Sequence, residues 1–296
     1  MPDSAFARDD DHLLRHWTAR DEAPVVIGSA AHLDLFCTML RETHHPYAPA
    51  AIAWPALDAA EQARLAALPI WDIAVQTEGR ASIRVRTFAE SATNPTLRAA
   101  LMLDAEEEAR HKVVLSSLVA AYGIPLAPEP AYPRPRHAEW AWLVTGYSEC
   151  IDSFFAFGLF ALAGRSGYFT RALVNAFEPI IQEEARHILF FANWIAWHRR
   201  NLAWWRRVVF ECRVAAVWCY LLWERIGIAR GIDSEGVAHD ANFALSGNAS
   251  IGIEVSPREF LETCRAENAR RMAGYDERLL RPKLMPTIVG CIRRFL

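Results

Sequence analysis

LDAEEEARH (103–111) and IIQEEARH (180–187) end in the same five residues, Glu-Glu-Ala-Arg-His. Each contains Glu-x-x-His, pairing Glu108 with His111 and Glu184 with His187. Residues three apart on a helix share a face, so each pair can aim one carboxylate and one imidazole at the same metal ion. A single copy occurs by chance on solvated helix faces. Two copies inside long helical patterns carry more weight, because adjacent helices can bring them together across a bundle core.

A two-metal core needs one more carboxylate from each of two further helices. Glu78 and Glu149 supply them, each about one helix and a turn from its neighbouring motif. Glu149 sits in VTGYSECIDSFF, where a lone charge is costly without a metal or a partner. Glu78 is followed by Gly79, which leaves room for a bulky neighbour or a ligand. The candidate catalytic and metal-binding set is therefore Glu78, Glu108, His111, Glu149, Glu184 and His187. Four carboxylates and two histidines suit a pair of first-row ions, two iron ions with manganese or a mixed pair as alternatives. The competing explanation is a set of surface salt bridges to Arg80, Arg110 and Arg186. Spacing alone also allows Glu183 to replace Glu184 as ligand. Glu107 and Glu183 lie four residues before His111 and His187, placed to orient a histidine nitrogen and to pair with arginine. Asp104 and Asp152 are outer candidates of the same kind, whereas the remaining histidines match no ligand pattern. Ala81, Leu115, Thr145, Ser153, Ile180 and Phe191, one turn from the ligands, and Ala156, two turns past Glu149, predict a largely apolar pocket beside the metals.

Working outward, the chain reads as all-α. Long 3.6-residue patterns dominate, and alternation of period two is confined to IRVRTF (83–88). Residues 1–20 read as a loosely held tail or short helix, 24–45 as a strand-like turn and a helix, and 56–91 as mainly helix. Asn94-Pro95 opens the next helix, which runs to about Tyr122. Two more cover about 138–162, ended by GRSG (164–167), and 170–198. Three further helices are expected in 200–296, separated by GIARGIDSEG (227–236) and LSGNASIG (245–252). The expected organisation is an N-terminal extension (1–55), a four-helix bundle (56–198) and a C-terminal helical extension packed on it (199–296).

Composition bounds the function. The 296 residues are 52% hydrophobic and 23% charged with a net charge of −3, which fits a folded chain and gives no general case for nucleic acid. Eleven tryptophans require a thick interior or a sizeable interface, which leaves room for a homodimer. The six cysteines form no CxxC pair and read as reduced core residues, and the acidic N-terminus does not resemble a signal peptide; both point to the cytoplasm. VVFECRVAAVWCYLLWE (208–224) is interrupted by Glu211 and Arg213, so a buried or peripheral helix is expected in place of a transmembrane segment. No P-loop, GxGxxG fingerprint, serine elbow or HExxH motif is present.

The order Glu78, Glu108-x-x-His111, Glu149, Glu184-x-x-His187 resembles the ferritin-like di-iron carboxylate superfamily over roughly residues 60–198. That superfamily includes ferritins, rubrerythrins, reductase small subunits, multicomponent monooxygenases, acyl-ACP desaturases and p-aminobenzoate N-oxygenases. Leu115 stands where reductase small subunits carry a radical tyrosine, and Ile180 where the N-oxygenases carry an extra histidine. The resemblance implies a ferritin-like four-helix bundle with additional N- and C-terminal helices. It also implies an oxygen-dependent di-iron oxidoreductase of the oxidase or oxygenase branch, such as a monooxygenase. Such an enzyme would use dioxygen to hydroxylate, N-oxygenate or desaturate a small, largely apolar organic substrate, with electrons from a ferredoxin or flavin reductase. The alternatives are a ferroxidase or peroxide-detoxifying protein, and a non-enzymatic helical interaction or scaffold protein whose tryptophan-rich tail docks a partner.

Overall fold

A computed structural model describes residues 12, 14–68, 70–229 and 255–292, with 226–229 described by backbone alone. Among the described residues the chain is all-helical, with nine α-helices and no strand beyond an isolated bridge between Trp17 and Tyr275. In chain order these are α1 (Ala30–Glu42), α2 (Ala59–Ala66), α3 (Trp71–Ser91), α4 (Pro95–Ala121), α5 (Ala138–Ser166), α6 (Arg171–Asn201), α7 (Trp204–Ala229), α8 (Pro257–Met272) and α9 (Leu284–Ile292).

Local chemistry sets most boundaries. Asn94 caps α4 by accepting from the Leu97 amide, and Pro95 occupies the first turn, where no donor is needed. Thr170 caps α6 through the Leu173 amide. Gly167, at φ +68°, ends α5 in the left-handed conformation that lacks a steric penalty only for glycine. IRVRTF lies inside α3, so its apparent alternation is a helical surface. The segment 56–91, read as mainly helix with Pro69 and Gly79 as its breakers, forms α2 and α3 with a break around residues 67–70. Pro69 itself lies outside the described residues, as do the expected loop at 245–252 and most of 227–236.

The four long helices contact one another in a ring: α3 touches α4 and α5, and α6 touches α5 and α4. Helix α1 lies against α4 and α6, α8 against α5 and α6, and α7 against α5. One end of the interior is aromatic. Trp142 stacks on Phe88 at 5.5 Å and meets Phe191 and Trp194 edge-on at 5.3 and 5.7 Å. Each such ring removes some 150–250 Å² from water, a gross gain of roughly 4 kcal/mol or more at ~25 cal/mol per Å².

The N-terminal segment is held more firmly than the expected tail. Leu14 and Trp17 are buried, the Trp17 amide donates to Gly274, and the Ala19 amide donates to Asp276. The loop after α8 that receives them is in turn pinned to α6. Gln182 donates to the Arg271 carbonyl and Tyr275, and Asn193 exchanges hydrogen bonds with Leu280. The cysteines differ in part from expectation: Cys37 and Cys264 are buried, but Cys212, Cys219 and Cys291 are exposed.

Close approach of α5 and α8 depends on Gly158. A Cβ there would lie 2.3 Å from the Cys264 Sγ and 3.0 Å from its Cα. Gly158→Ala is expected to lower stability by roughly 1–3 kcal/mol through overpacking, read as a lower urea midpoint. Adding Cys264→Ala should recover only part of the loss, because the backbone contact remains.

Candidate metal centre

The two motif helices, α4 and α6, face each other with their duplicated segments in register, and α3 and α5 bring the single glutamates. Two groups of potential ligand atoms form there, each with its atoms within 4.8 Å of one another. Glu78, Glu108, His111 and Glu184 make the first; Asp104, Glu108 and His187 make the second. Glu108 belongs to both. Glu149 lies outside these two groups, yet it is close enough for its charge to interact with Glu108, Glu184, Asp104 and His187. Asp104, which the sequence placed further out, stands one helical turn before Glu108 and joins the second group directly.

The histidines are oriented by exchange between helices. His111 of α4 donates from Nε2 to Oε2 of Glu183 on α6 at 2.7 Å, and His187 of α6 donates from Nε2 to Oε2 of Glu107 on α4, also at 2.7 Å. Each histidine is thereby held with Nδ1 toward the carboxylates. The His111 Nδ1 is 3.2 Å from Glu184 and 3.7 Å from Glu78, and the His187 Nδ1 is 2.8 Å from Glu108. Neither Nδ1 is aligned for a hydrogen bond, and both are buried. Glu107 and Glu183 were expected to orient a histidine, and each does so across the interface, for the other helix's ring. Glu183 is thus occupied with His111 and Arg110, and Glu184 is the residue that joins the ligand group.

The arginines engage these orienting carboxylates. Arg186, fully buried, donates to both oxygens of Glu107 at 3.1 Å, to the Leu40 carbonyl and to Thr43. Arg110 donates to Glu183 at 2.6 Å and lies over the Tyr47 ring. With Glu107, Glu108, Glu183, His111 and His187 all buried, the arrangement is not a solvated salt-bridge surface. Asp152 departs from expectation: more than half exposed, it pairs with Arg225 on α7.

Three contributors left no signal in the sequence. His44 donates from Nδ1 to Oε1 of Glu107 at 2.6 Å, and Thr43 and Tyr47 complete the cover from the end of α1. Their separation from the motifs follows no helical period, so nothing short of the fold could place them. Of the predicted pocket wall, Ala81, Leu115, Thr145, Ile180 and Phe191 are buried, and Ser153 donates to Glu184 at 3.3 Å. Gly79 does admit a bulky neighbour: a Cβ there would lie 2.8 Å from the Tyr132 ring.

Electrostatics show what the cluster lacks. Burial, reinforced by the charges of Glu78 and Glu184, pushes the Glu108 carboxyl well above its usual range. Burial and the charges of Glu108 and Glu184 do the same to Glu149. Burial raises Asp104 to about 6. For His111 and His187, burial is outweighed by the facing carboxylates, and both are held well above the ordinary imidazole value. For Glu107 burial is outweighed by Arg186, His187 and His44, so it stays ionised. Oε1 of Glu108, Oε1 of Glu149, Oδ2 of Asp104 and both Nδ1 atoms are shut off from solvent without a hydrogen-bond partner. Buried carboxylate oxygens and imidazole nitrogens gathered into these two groups fit divalent cations. The residues present can hold a metal ion.

Comparison with protein-family models, curated proteins and solved structures finds no match to this chain.

Two measurements follow from the trapped charge. A carboxyl held above its unfolded value of 4.5 costs stability increasingly as pH rises past that value. Glu149→Gln removes that cost, so the metal-free variant should be more stable than wild type at pH 7, by about 1 kcal/mol, and should lose less stability between pH 5 and 8. Cation binding must also expel the protons that Glu108, Glu149, His111 and His187 retain, so affinity should fall as pH is lowered. Calorimetric titration in buffers of different ionisation enthalpy reads the released protons directly.

Proposed function

We propose that this chain is a ferritin-like di-iron protein that uses dioxygen to oxidise a small, largely apolar organic compound. The observation that carries the proposal is Glu108's membership of both ligand groups, since a shared carboxylate is what two neighbouring ions require. Glu78, His111 and Glu184 would complete one ion's ligands, and His187 and Asp104 the other's, with Glu149 at hand. Two first-row ions suit a set of carboxylates and imidazoles, and iron is the choice that couples to dioxygen. When bound, iron would supply the electrons with which dioxygen is reduced.

The protein's own part is positioning and protection. Glu107 and Glu183 keep each Nε2 protonated, so that Nδ1 offers its lone pair to the site. Ser153 holds Glu184 by one oxygen, which leaves the other free to coordinate. Leu115, Ile180 and Phe191 make the neighbourhood apolar and limit water near reactive oxygen species. An apolar wall of this kind suits hydroxylation, N-oxygenation or desaturation of an apolar compound, with a ferredoxin or flavin reductase returning two electrons per turnover.

Anaerobic reconstitution with Fe(II), followed by metal analysis and anomalous scattering at the iron and manganese edges, is the deciding experiment. Two irons per chain are expected at the named residues, with oxygen uptake when air is admitted. Glu108→Ala and His187→Ala should each abolish two-metal occupancy, and full occupancy in either variant would sink the assignment. Rapid Fe(II) oxidation that no organic compound accelerates would instead favour a ferroxidase.

A further inference from the structure

Helix α7 buries one face and leaves another bare. Phe210, Val214, Val217 and Leu221 turn inward. On the other side Trp205, Val208, Cys212, Ala215, Cys219 and Leu222 are exposed. Their spacing alternates three and four residues, which is the heptad seam by which two helices interlock knobs into holes. Trp204, 80% exposed, and Trp223, 56% exposed, extend the seam at its two ends. No described part of the chain covers it.

We propose that α7 is a two-fold homodimer interface, in which the α7 helices of two copies pack antiparallel about a point between Arg213 and Val214. The order of side-chain sizes selects this arrangement. About that point Trp205 faces Leu222 of the second copy, Val208 faces Cys219, and Cys212 faces Ala215, each pairing occurring twice by symmetry. The small central residues let the helices approach closely, and the large ones fill the diverging ends. A parallel pair would set Trp205 against its own copy and leave the small middle unfilled.

The exposed area agrees with a second copy as occupant. Three half- to four-fifths-exposed tryptophans with Val208 and Leu222 present on the order of 700 Å² of surface, close to the ~800 Å² per partner of a standard interface. Antiparallel packing also opposes the helix dipoles. A bilayer surface would accept the tryptophans and arginines, but it demands neither the heptad spacing nor small residues at the centre.

The inference is independent of the metal centre, and its test uses the full chain without metal. Sedimentation velocity at micromolar concentration should give twice the 33.4 kDa chain mass. Val208→Glu with Leu222→Glu buries four unpaired charges per dimer and should weaken association by roughly a hundredfold or more, with unchanged far-UV circular dichroism. Ala215→Cys, in a Cys219→Ser, Cys291→Ser background, should crosslink to Cys212 under mild oxidation. A monomeric wild type overturns the proposal, whether it stays free or pellets with anionic vesicles, the latter assigning the face to a membrane. A double variant that remains dimeric, or a dimer that Ala215→Cys fails to crosslink, overturns it equally.

Discussion

Like charges crowd together out of water at the centre of this protein, and most of the surrounding architecture serves to hold them there. Glu108, Glu149 and Asp104 repel one another in an interior that cannot screen them. The desolvation of each ionised group costs several kcal/mol. Two neighbours offset that cost. The aromatic cluster of Phe88, Trp142, Phe191 and Trp194 contributes burial at one end of the same helices. The ion pairs of Arg186 with Glu107 and Arg110 with Glu183 fix the two carboxylates that orient the histidines.

Exchange between α4 and α6 makes those ion pairs part of the site. Each helix supplies one histidine and also the glutamate that orients the other helix's histidine. Neither helix can therefore present a properly aimed imidazole alone. The arrangement extends to α1, because Arg186 spends its remaining donors on Leu40 and Thr43, and His44 holds the second oxygen of Glu107. A segment outside the motif helices thus helps Arg186 and His187 to keep Glu107 ionised.

The outer helices share the load differently. Helix α8 approaches α5 closely enough that Gly158 leaves no room for a side chain, and the loop behind it is hydrogen-bonded to α6 and to the N-terminal segment. Helix α7 also rests on α5, and its Phe210 packs against Trp194 and His198 of α6, but an opposite apolar face is left uncovered. No described helix is long and apolar enough to cross a membrane. The candidate ligand cluster inside the bundle and the uncovered face of α7 thus lie on separate parts of the same framework.

Local rules made much of this legible in the sequence. Helical periodicity, Asn94-Pro95, Thr170 and Gly167 determine α4, α5 and α6 to within about a turn, because caps and breakers act over a few residues. The repeated Glu-Glu-Ala-Arg-His motif likewise determines which face of α4 and α6 carries ligand chemistry, since spacing on one helix is fixed by its pitch. Relations between helices are not written in that way. That Glu183 serves His111 while Glu184 joins the ligand group, that Asp104 stands nearer than Glu149, and that His44 reaches Glu107 depend on how helices rotate and close upon one another. The tertiary structure alone decided these, because side chains from distant parts of the chain must compete for the same few ångströms of a closed interior.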